Sequence, residues 1–345
     1  MTTNSPVRLA LVGAGRIGSN HAELVARHVP GATLVAVADP TPNADRLAAD
    51  LDVAVVERSA DAVLDRTDVD AVLITTPART HAELVVAAAA AGKHVFVEKP
   101  MAVTLPEADR AVAAAADAGV VLQVGFNRRF APGWVAARAA IDAGRVGIPQ
   151  LLRSVTRDPG PFSADPARIP PGTIFLETLI HDFDALCFLN PGARPLRVTA
   201  LADALIRPDA KSAGHLDTAV VTIEFDNGAI ATAEASFSAL YGYDVRAEVF
   251  GSGGMVTAGD ARATDMTYYG PNGIGVDTAR RDTDLLRSAY LAEFVAFTEA
   301  IRSGTPAPVT GTDARTALSI ALAAVRSAST RGPVEIADVL AEVTA

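Results

Sequence analysis

The chain has 345 residues, of which 50% are hydrophobic and 20% are charged, and its formal net charge is −10. This length is sufficient for two domains with separate cores, and the composition is typical of a globular protein. The negative charge disfavours a nucleic acid or an anionic membrane as a partner. No run of about 18 apolar residues lacks a charge, so the sequence predicts no membrane-spanning helix.

The first apolar run begins at residue 7, which leaves no room for a signal peptide. The single cysteine, Cys187, cannot form an intrachain disulfide and is interpreted as an inert core thiol. We therefore expect a cytoplasmic protein.

From residue 7 to about residue 124, short strand-like runs alternate with helical runs. Strands that are apolar on both faces and separated by helices indicate a parallel sheet covered on both sides. Thr104 and Glu107 fit a capping box at the start of one helix, and Pro106 falls in its first turn. The sequence predicts an α/β domain over residues 1–124. Its predicted strands are 7–12, 33–38, 70–75, 94–97 and 120–124.

A glycine motif, Gly-Ala-Gly-Arg-Ile-Gly at 13–18, follows the first predicted strand and opens the first predicted helix. In this context Gly13 permits a tight turn, Gly15 allows the backbone to approach a pyrophosphate, and Gly18 allows the helix to pack on the strand. The helix start, with Arg16 and Ile17, offers N–H groups and a positive dipole end to phosphates. The alternative is a plain turn of glycines.

An acid, Asp39, ends the second predicted strand about 20 residues after this motif, where a carboxylate can bind the hydroxyls of an adenosine ribose. It would repel a 2′-phosphate, and residues 40–43 contain no Arg or Lys to bind one. We therefore predict a Rossmann domain that binds NAD, with NADP less favoured.

The second half of the chain has a different pattern. A helix and a strand that ends near Arg157 precede a proline-rich loop over 159–171, and a hairpin signal, Asp-Asn-Gly, follows at 226–228. Two helices, at about 284–302 and 312–329, come near the end of the chain. Antiparallel strands with helices predict an α+β domain over 125–345, with a mainly antiparallel open sheet.

One predicted helix, at 175–186, is apolar apart from Glu177, His181, Asp182 and Asp184. Burying an unpaired charge costs several kcal/mol, so these groups require a reason. Glu177 and His181 are four positions apart on a helix and can meet. A buried salt-bridge network is one alternative. A metal site is another, but no second His or Cys lies nearby at ligand spacing, and no metal is predicted.

Four segments carry a resemblance to a known family: VGAGRIGSNHA at 12–22, TTPARTH at 75–81, VEKPMAVTLPEA at 97–108 and IHDFD at 180–184. With them the chain resembles, along its whole length, the Gfo/Idh/MocA oxidoreductase family. Within this family it looks most like the myo-inositol 2-dehydrogenases.

The resemblance implies a Rossmann domain and an α+β domain, with a polyol or sugar bound where they meet. It implies a homo-oligomer, with a tetramer expected through the open sheet. By position, Lys99 matches the active-site lysine of the family and His181 its catalytic histidine. Glu177 stands where inositol dehydrogenases typically carry Asp, one methylene shorter.

The chemistry of alcohol oxidation fits these residues. A histidine can take the hydroxyl proton, and a lysine ammonium can stabilise the developing oxyanion. Lys99, His181 and Glu177 are the predicted catalytic residues, and His21 and His81 are interpreted as packing or capping groups. The predicted cofactor contacts are Gly13, Gly15, Arg16, Ile17, Gly18, Asp39, Thr76, Pro77, Glu98 and Lys99. The predicted substrate contacts are Lys99, Arg129, Arg157, Asp158, Glu177, His181 and Tyr241.

The sequence thus favours an NAD-dependent dehydrogenase that oxidises a secondary hydroxyl of a cyclitol or sugar. Three alternatives stay open: an NADP-linked sugar reductase, an NAD-dependent glycosidase, and a non-enzymatic NAD-binding regulator on the same fold.

Overall fold

A computed structural model describes residues 5–160 and 169–342, and these residues form two compact units. Unit 1 combines the residues up to Phe130 with Ser288–Thr316. Unit 2 combines Ala131–Arg287 with the residues from Ala317 onward. Residues 161–168 of the predicted proline-rich loop lie outside the described residues.

Unit 1 is built on a six-stranded sheet in which all the neighbouring strands are parallel. Its strand order is β3-β2-β1-β4-β5-β6, which is the doubly wound order of dinucleotide-binding folds. The strands are β1 Val7–Val12, β2 Ala32–Ala38, β3 Val55–Glu57, β4 Ala71–Ile74, β5 His94–Glu98 and β6 Leu122–Gly125. The predicted parallel α/β sheet is confirmed.

Five helices alternate with these strands: α1 Arg16–His28, α2 Asn43–Asp50, α3 Ala60–Leu64, α4 His81–Ala90 and α5 Leu105–Asp117. The capping box of α5 is present, because Thr104 and Glu107 each accept the backbone N–H of the other. The sequence did not predict β3 or α3. Three residues of strand and five of helix are too few for periodicity to show.

Unit 2 contains a seven-stranded sheet in the order β12-β11-β7-β10-β9-β8-β15, in which only the β7–β10 pair is parallel. Its strands are β7 Pro149–Arg157, β8 Pro195–Asp203, β9 Thr218–Phe225, β10 Ile230–Ser236, β11 Asp244–Gly251, β12 Gly254–Ala258 and β15 Val334–Glu335. Strands β13 Arg262–Gly270 and β14 Gly273–Thr278 form a separate hairpin. The mainly antiparallel second sheet is confirmed.

The helices of the second half are α6 Pro132–Asp142, α7 Ile180–Phe188, α8 Asp282–Leu285, α9 Arg287–Ser303, α10 Gly311–Thr330 and α11 Ile336–Ala341. Helix α9 was predicted as part of a continuous second domain over 125–345, but most of it belongs to unit 1. The reason is aromatic packing, since the rings of Phe294 and Phe297 lie 4.7 and 5.9 Å from that of Phe96 on β5.

The helix that carries Glu177 and His181 differs from its prediction. The sequence predicted one α-helix over 175–186, but residues Ile174–Leu179 form a π-helical segment that runs into α7. A π turn closes its hydrogen bonds from i to i+5, and such segments are frequent at functional sites. Glu177 therefore lies in the π segment and His181 in the α-helix that follows.

Candidate active site

The predicted cofactor residues of unit 1 follow the carboxyl ends of four parallel strands. Gly13 comes after β1, Asp39 after β2, Thr76 after β4, and Lys99 after β5. In open α/β sheets, ligands bind at this edge, in the crevice where the strand order reverses. Here the order reverses between β1 and β4, so the structure brings these residues to the edge at which a dinucleotide binds.

The three glycines of the loop have different surroundings. Gly13 has a φ of +104°, and a Cβ there would lie 2.9 Å from the backbone of Thr75 and Thr76. A Cβ on Gly18 would collide with the carbonyl oxygen of Gly13. A Cβ on Gly15 would meet no described atom within 4 Å. Close backbone contacts therefore favour glycine at positions 13 and 18, whereas Gly15 leaves open space beside the loop.

The start of α1 borders this open space. Gly15 caps the helix without a side-chain hydrogen bond, and Gly15 and Arg16 are exposed while Ile17 is half-buried. An uncapped helix start presents N–H groups that suit a phosphate. These residues therefore fit the pyrophosphate of a dinucleotide.

The carboxylate of Asp39 organises the same loop. Its Oδ2 accepts the backbone N–H of Ala14 at 2.8 Å, and its Oδ1 accepts the backbone N–H and the hydroxyl of Thr41 at 2.8 and 2.6 Å. Burial raises the pKa of Asp39, but these hydrogen bonds and the charge of Arg58 leave it below its ordinary value. Asp39 is therefore a carboxylate at neutral pH, as a ribose-binding acid must be.

Glu98 and Lys99 begin the loop after β5. Oε2 of Glu98 accepts the backbone N–H of Lys99 at 3.1 Å, and Oε1 lies 2.6 Å from Nε2 of His21. Burial raises the pKa of Glu98, but the hydrogen bond and charge of His21, with the charges of Lys99 and His81, lower it below its ordinary value. Glu98 was predicted to contact the cofactor. Glu98 is buried and Lys99 is half-buried, and the assignment of both residues to the cofactor stays a prediction.

His81 connects two of the predicted cofactor loops. Its Nδ1 lies 2.8 Å from the carbonyl oxygen of Pro100, and its Nε2 lies 2.7 Å from that of Thr76. Both partners are backbone carbonyl oxygens. His81 therefore links the loop of Thr76 and the exposed Pro77 to the loop of Lys99, a role beyond the predicted packing or capping.

The interior of unit 1 also holds a buried histidine beside two buried glutamates, a group that the sequence did not reveal. His21, Glu98 and Glu293 each offer a ligand-type atom, and these atoms lie within 4.8 Å of one another. The ring of His21 lies 4.8 Å from that of Phe294 and 5.3 Å from that of Tyr290. His21 was predicted to be a packing or capping residue, and it does pack here. Glu293 was missed because no local pattern links α9 to β5.

In unit 2, the four ionisable groups of the 175–186 segment separate into two pairs. Asp182 and Asp184 are buried, and Asp182 accepts the hydroxyls of Ser154 at 2.5 Å and Thr156 at 2.7 Å. Asp182 therefore anchors α7 to β7. Glu177 and His181 are half-buried, and they remain the pair that can meet a ligand.

The other predicted substrate contacts have identified partners. Nη2 of Arg157 donates to Glu234 at 2.7 Å, and Asp158 accepts the hydroxyl of Tyr243 and the N–H of Gly160. Tyr241 is 53% exposed and donates to Asp244 at 2.9 Å; burial and the bond to Asp244 raise the pKa of Tyr241. In unit 1, Arg129 pairs with Asp313 at 3.1 Å. Their assignment to the substrate stays a prediction.

Fold and loop together define a dinucleotide-binding α/β protein with a second, mainly antiparallel domain. Comparison with protein-family models is more specific. The model described as the oxidoreductase family with an NAD-binding Rossmann fold (GFO_IDH_MocA) matches residues 7–126. The C-terminal domain model of the same family matches residues 134–257. The chain therefore belongs to the GFO/IDH/MocA oxidoreductase family, as predicted.

Several curated relatives match nearly the whole chain. A scyllo-inositol 2-dehydrogenase (NAD(+)) of Bacillus subtilis is 37% identical over 333 residues, which is 96% of each chain. An inositol 2-dehydrogenase of Rhizobium meliloti is 38% identical over 96% of this chain and 99% of the relative.

A solved structure is also similar. The scyllo-inositol dehydrogenase of Lactobacillus casei with bound NAD(H) and scyllo-inositol superposes with a TM-score of 0.93 at 27% identity, covering 96% of this chain and 100% of that one.

Within the described ranges of this chain, no helix combines the length and the hydropathy that crossing a lipid bilayer requires.

Proposed function

We propose that this protein is an NAD-dependent dehydrogenase that oxidises one secondary hydroxyl of an inositol-like cyclitol to a ketone. The observation that carries the proposal is the near-complete match to inositol 2-dehydrogenases at 35–38% identity. The glycine loop and Asp39 support it independently, because they fit the cofactor that such a reaction requires.

The cofactor assignment uses the residues at the edge of the unit 1 sheet. Gly13, Gly15 and Gly18, with the N–H groups at Arg16 and Ile17, would hold the pyrophosphate, and Asp39 would hold the adenosine ribose. Thr76, Pro77 and Lys99 would lie on the nicotinamide side. A bound NAD would supply the acceptor for the hydride that leaves the carbinol carbon.

His181 is the proposed base. A ring nitrogen of His181 takes the proton of the reacting hydroxyl, and the ammonium of Lys99 stabilises the negative charge that develops on that oxygen. Glu177 orients the imidazole and stabilises its cationic form. A π turn takes slightly more than four residues, so positions 177 and 181 still share one side of the helix. Arg129, Arg157, Asp158 and Tyr241 are proposed to contact the remaining hydroxyls.

A homo-tetramer is the proposed assembly, formed through the outer face of the unit 2 sheet. Four neighbouring strands of this face carry one row of exposed apolar side chains, each 44–55% exposed: Met255, Phe250, Leu151 and Ile230. Apolar rows on a sheet surface favour pairing with another sheet. A cytoplasmic location is proposed because the one cysteine gives no disulfide.

The function is tested by incubating the purified protein with NAD or NADP and a panel of inositols, hexoses and anhydrosugars, while following the absorbance of the reduced nicotinamide. Stoichiometric NAD reduction with an inositol is expected. Sugar turnover without net NAD reduction would instead indicate a glycosidase. NAD binding without any turnover would indicate a regulator, and faster turnover of a sugar with NADP(H) would indicate the reductase.

A further inference from the structure

The buried group formed by His21, Glu98 and Glu293 is not used by the proposed reaction. Glu293 lies on α9, and no part of it is exposed. Both of its carboxyl oxygens are buried and accept no hydrogen bond from the described residues. An ionised carboxylate in these surroundings would lack all compensation for its lost hydration, which costs several kcal/mol. The geometry therefore favours an uncharged Glu293.

The charge on Glu98 acts in the same direction. Burial, and then the nearby negative charge of Glu98, raise the pKa of Glu293 well above its ordinary value. Glu98 itself keeps its charge because it is bonded to His21. Two neighbouring carboxyl groups in one buried site commonly divide their protonation in this way.

The described neighbours of this group come from several elements. His21 comes from α1, Glu98 and Lys99 from the end of β5, and His81 from α4. Helix α9 contributes the ring of Tyr290 next to His21, and Gln123 of β6 donates to the backbone oxygen of Glu293 at 2.8 Å. None of the described residues donates a hydrogen bond to the carboxyl oxygens of Glu293.

We propose that Glu293 is a positioning residue for Lys99: it carries a proton, remains uncharged beside the ionised Glu98, and so preserves the bond from Glu98 to the backbone of Lys99. The significance for catalysis rests on the proposed function, in which Lys99 acts on the substrate. Ionisation of Glu293 as the pH rises places a second negative charge next to Glu98. Glu98 then shifts or takes up a proton, and the backbone at Lys99 moves.

Lysine labelling tests this inference without any turnover. The chain has three lysines, Lys93, Lys99 and Lys211, so ¹⁵N-lysine gives three backbone amide signals, and a Lys99→Arg variant identifies the middle one. In the full-length wild type, the Lys99 amide signal is expected to shift as the pH rises to alkaline values. In Glu293→Gln, which imitates a protonated carboxyl, this shift should vanish. An identical Lys99 titration in both proteins would overturn the proposal.

Infrared spectroscopy and stability provide a second test. The difference spectrum of wild type minus Glu293→Gln at pH 7 should contain the C=O band of a protonated carboxyl. Because the folded pKa of Glu293 is raised, its stabilising contribution is present at low pH and is lost as the pH rises through that folded pKa. The Tm of Glu293→Gln minus the Tm of the wild type should therefore increase as the pH rises. Absence of the infrared band would contradict a protonated Glu293.

A matched control is Glu299→Gln, at an exposed position of the same helix, which should leave the Lys99 signal and the pH dependence of Tm unchanged. A bound divalent cation is the competing explanation for this group. It requires both carboxylates to be ionised. Stoichiometric metal retained by the purified wild type and lost in Glu293→Gln would overturn the proposal.

Activity completes the test. The kcat of Glu293→Gln should depend less on pH than that of the wild type as the pH rises, because the variant has no carboxyl group to ionise at this position. If no inositol is oxidised while the Lys99 titration and the infrared band are both present, the proposed function fails and the proton assignment stands.

Discussion

The backbone N–H of Ala14 donates to Oδ2 of Asp39 at 2.8 Å, so the acid at the end of β2 also holds the turn of the glycine loop. One carboxylate thus serves two purposes. It holds the glycine loop, and in the proposed function it would present a negative charge to the adenosine ribose. These purposes can be separated by substitution, because Asn keeps an acceptor for Ala14 but loses the charge.

We predict that NAD supports catalysis at least about 10-fold better than NADP in kcat/KM, because a charged contact is worth more than 1 kcal/mol. Asp39→Ala should narrow this gap, mainly by weakening the binding of NAD. Asp39→Asn should keep the loop, with a nearly unchanged Tm, and still narrow the gap. Steady-state kinetics with both cofactors measures the effect. Equal efficiency of NAD and NADP in the wild type would contradict the assignment.

The glycines should differ in what their substitution damages. Gly15→Ala adds a Cβ where no described atom lies within 4 Å, so its Tm should equal that of the wild type while NAD binding weakens by roughly 10-fold or more. Gly18→Ala should lower the Tm because its Cβ collides with Gly13. Calorimetry measures both the Tm and the affinity for NAD. Gly275→Ala, also at an open position, is the control that should change neither.

Substitution of His181 or Lys99 should lower turnover without weakening the binding of NAD. His181→Ala and Lys99→Ala are each expected to lower kcat by roughly 100-fold or more, the usual contribution of positioned acid–base or electrostatic groups. The Kd for NAD should change little. His28→Ala and Lys211→Ala, at exposed positions, are the matched controls. Wild-type turnover in His181→Ala would show that the base lies elsewhere.

The Glu177 series separates orientation from substrate contact. Glu177→Gln should lower kcat, because a neutral amide stabilises the cationic imidazole of His181 less well than a carboxylate does. Glu177→Asp should keep most of the activity if the carboxylate only orients His181. If the longer side chain contacts the polyol, Glu177→Asp should instead change the ranking of substrates across the inositol panel. An active Glu177→Gln enzyme would remove Glu177 from the catalytic set.

Substitution of Asp182 on α7 should lower the stability of the fold. Asp182→Ala leaves the buried hydroxyls of Ser154 and Thr156 without this acceptor, which is expected to cost about 1–3 kcal/mol in the free energy of unfolding. Urea denaturation measures this loss. Asp209→Ala, which removes an exposed ion pair with Arg207, should cost less than about 1 kcal/mol. Equal losses in both variants would argue against the anchoring role.

The sequence could predict those features that depend on local pattern. The parallel sheet, the glycine loop, Asp39 and the capping box of α5 all follow from periodicity or from motifs within a few residues. The loops after β4 and β5 were also identified, through the resemblance. These elements agree with the structure because local preference and the fold favour the same arrangement.

Features that depend on distant contacts were missed. Glu293 meets Glu98 only after α9 has folded onto unit 1, and His81 reaches Pro100 only because β4 and β5 are neighbours. The π segment at Ile174–Leu179 is a backbone adjustment that side-chain periodicity does not reveal. The sequence also could not show which face of α7 packs on β7, so the anchoring role of Asp182 was missed.

The discontinuity of unit 1 has a consequence for the synthesis of the protein. The aromatic side chains of α9 complete a core whose sheet is finished at residue 125, so about half of the chain must emerge from the ribosome between the two parts. During this interval Phe96 and His21 lack the partners that bury them, and hydrophobic surface exposed in this way is prone to aggregation. Unit 2 can acquire most of its sheet within the same interval. We therefore expect the nascent Rossmann half to depend on chaperones until residues 288–316 have been made.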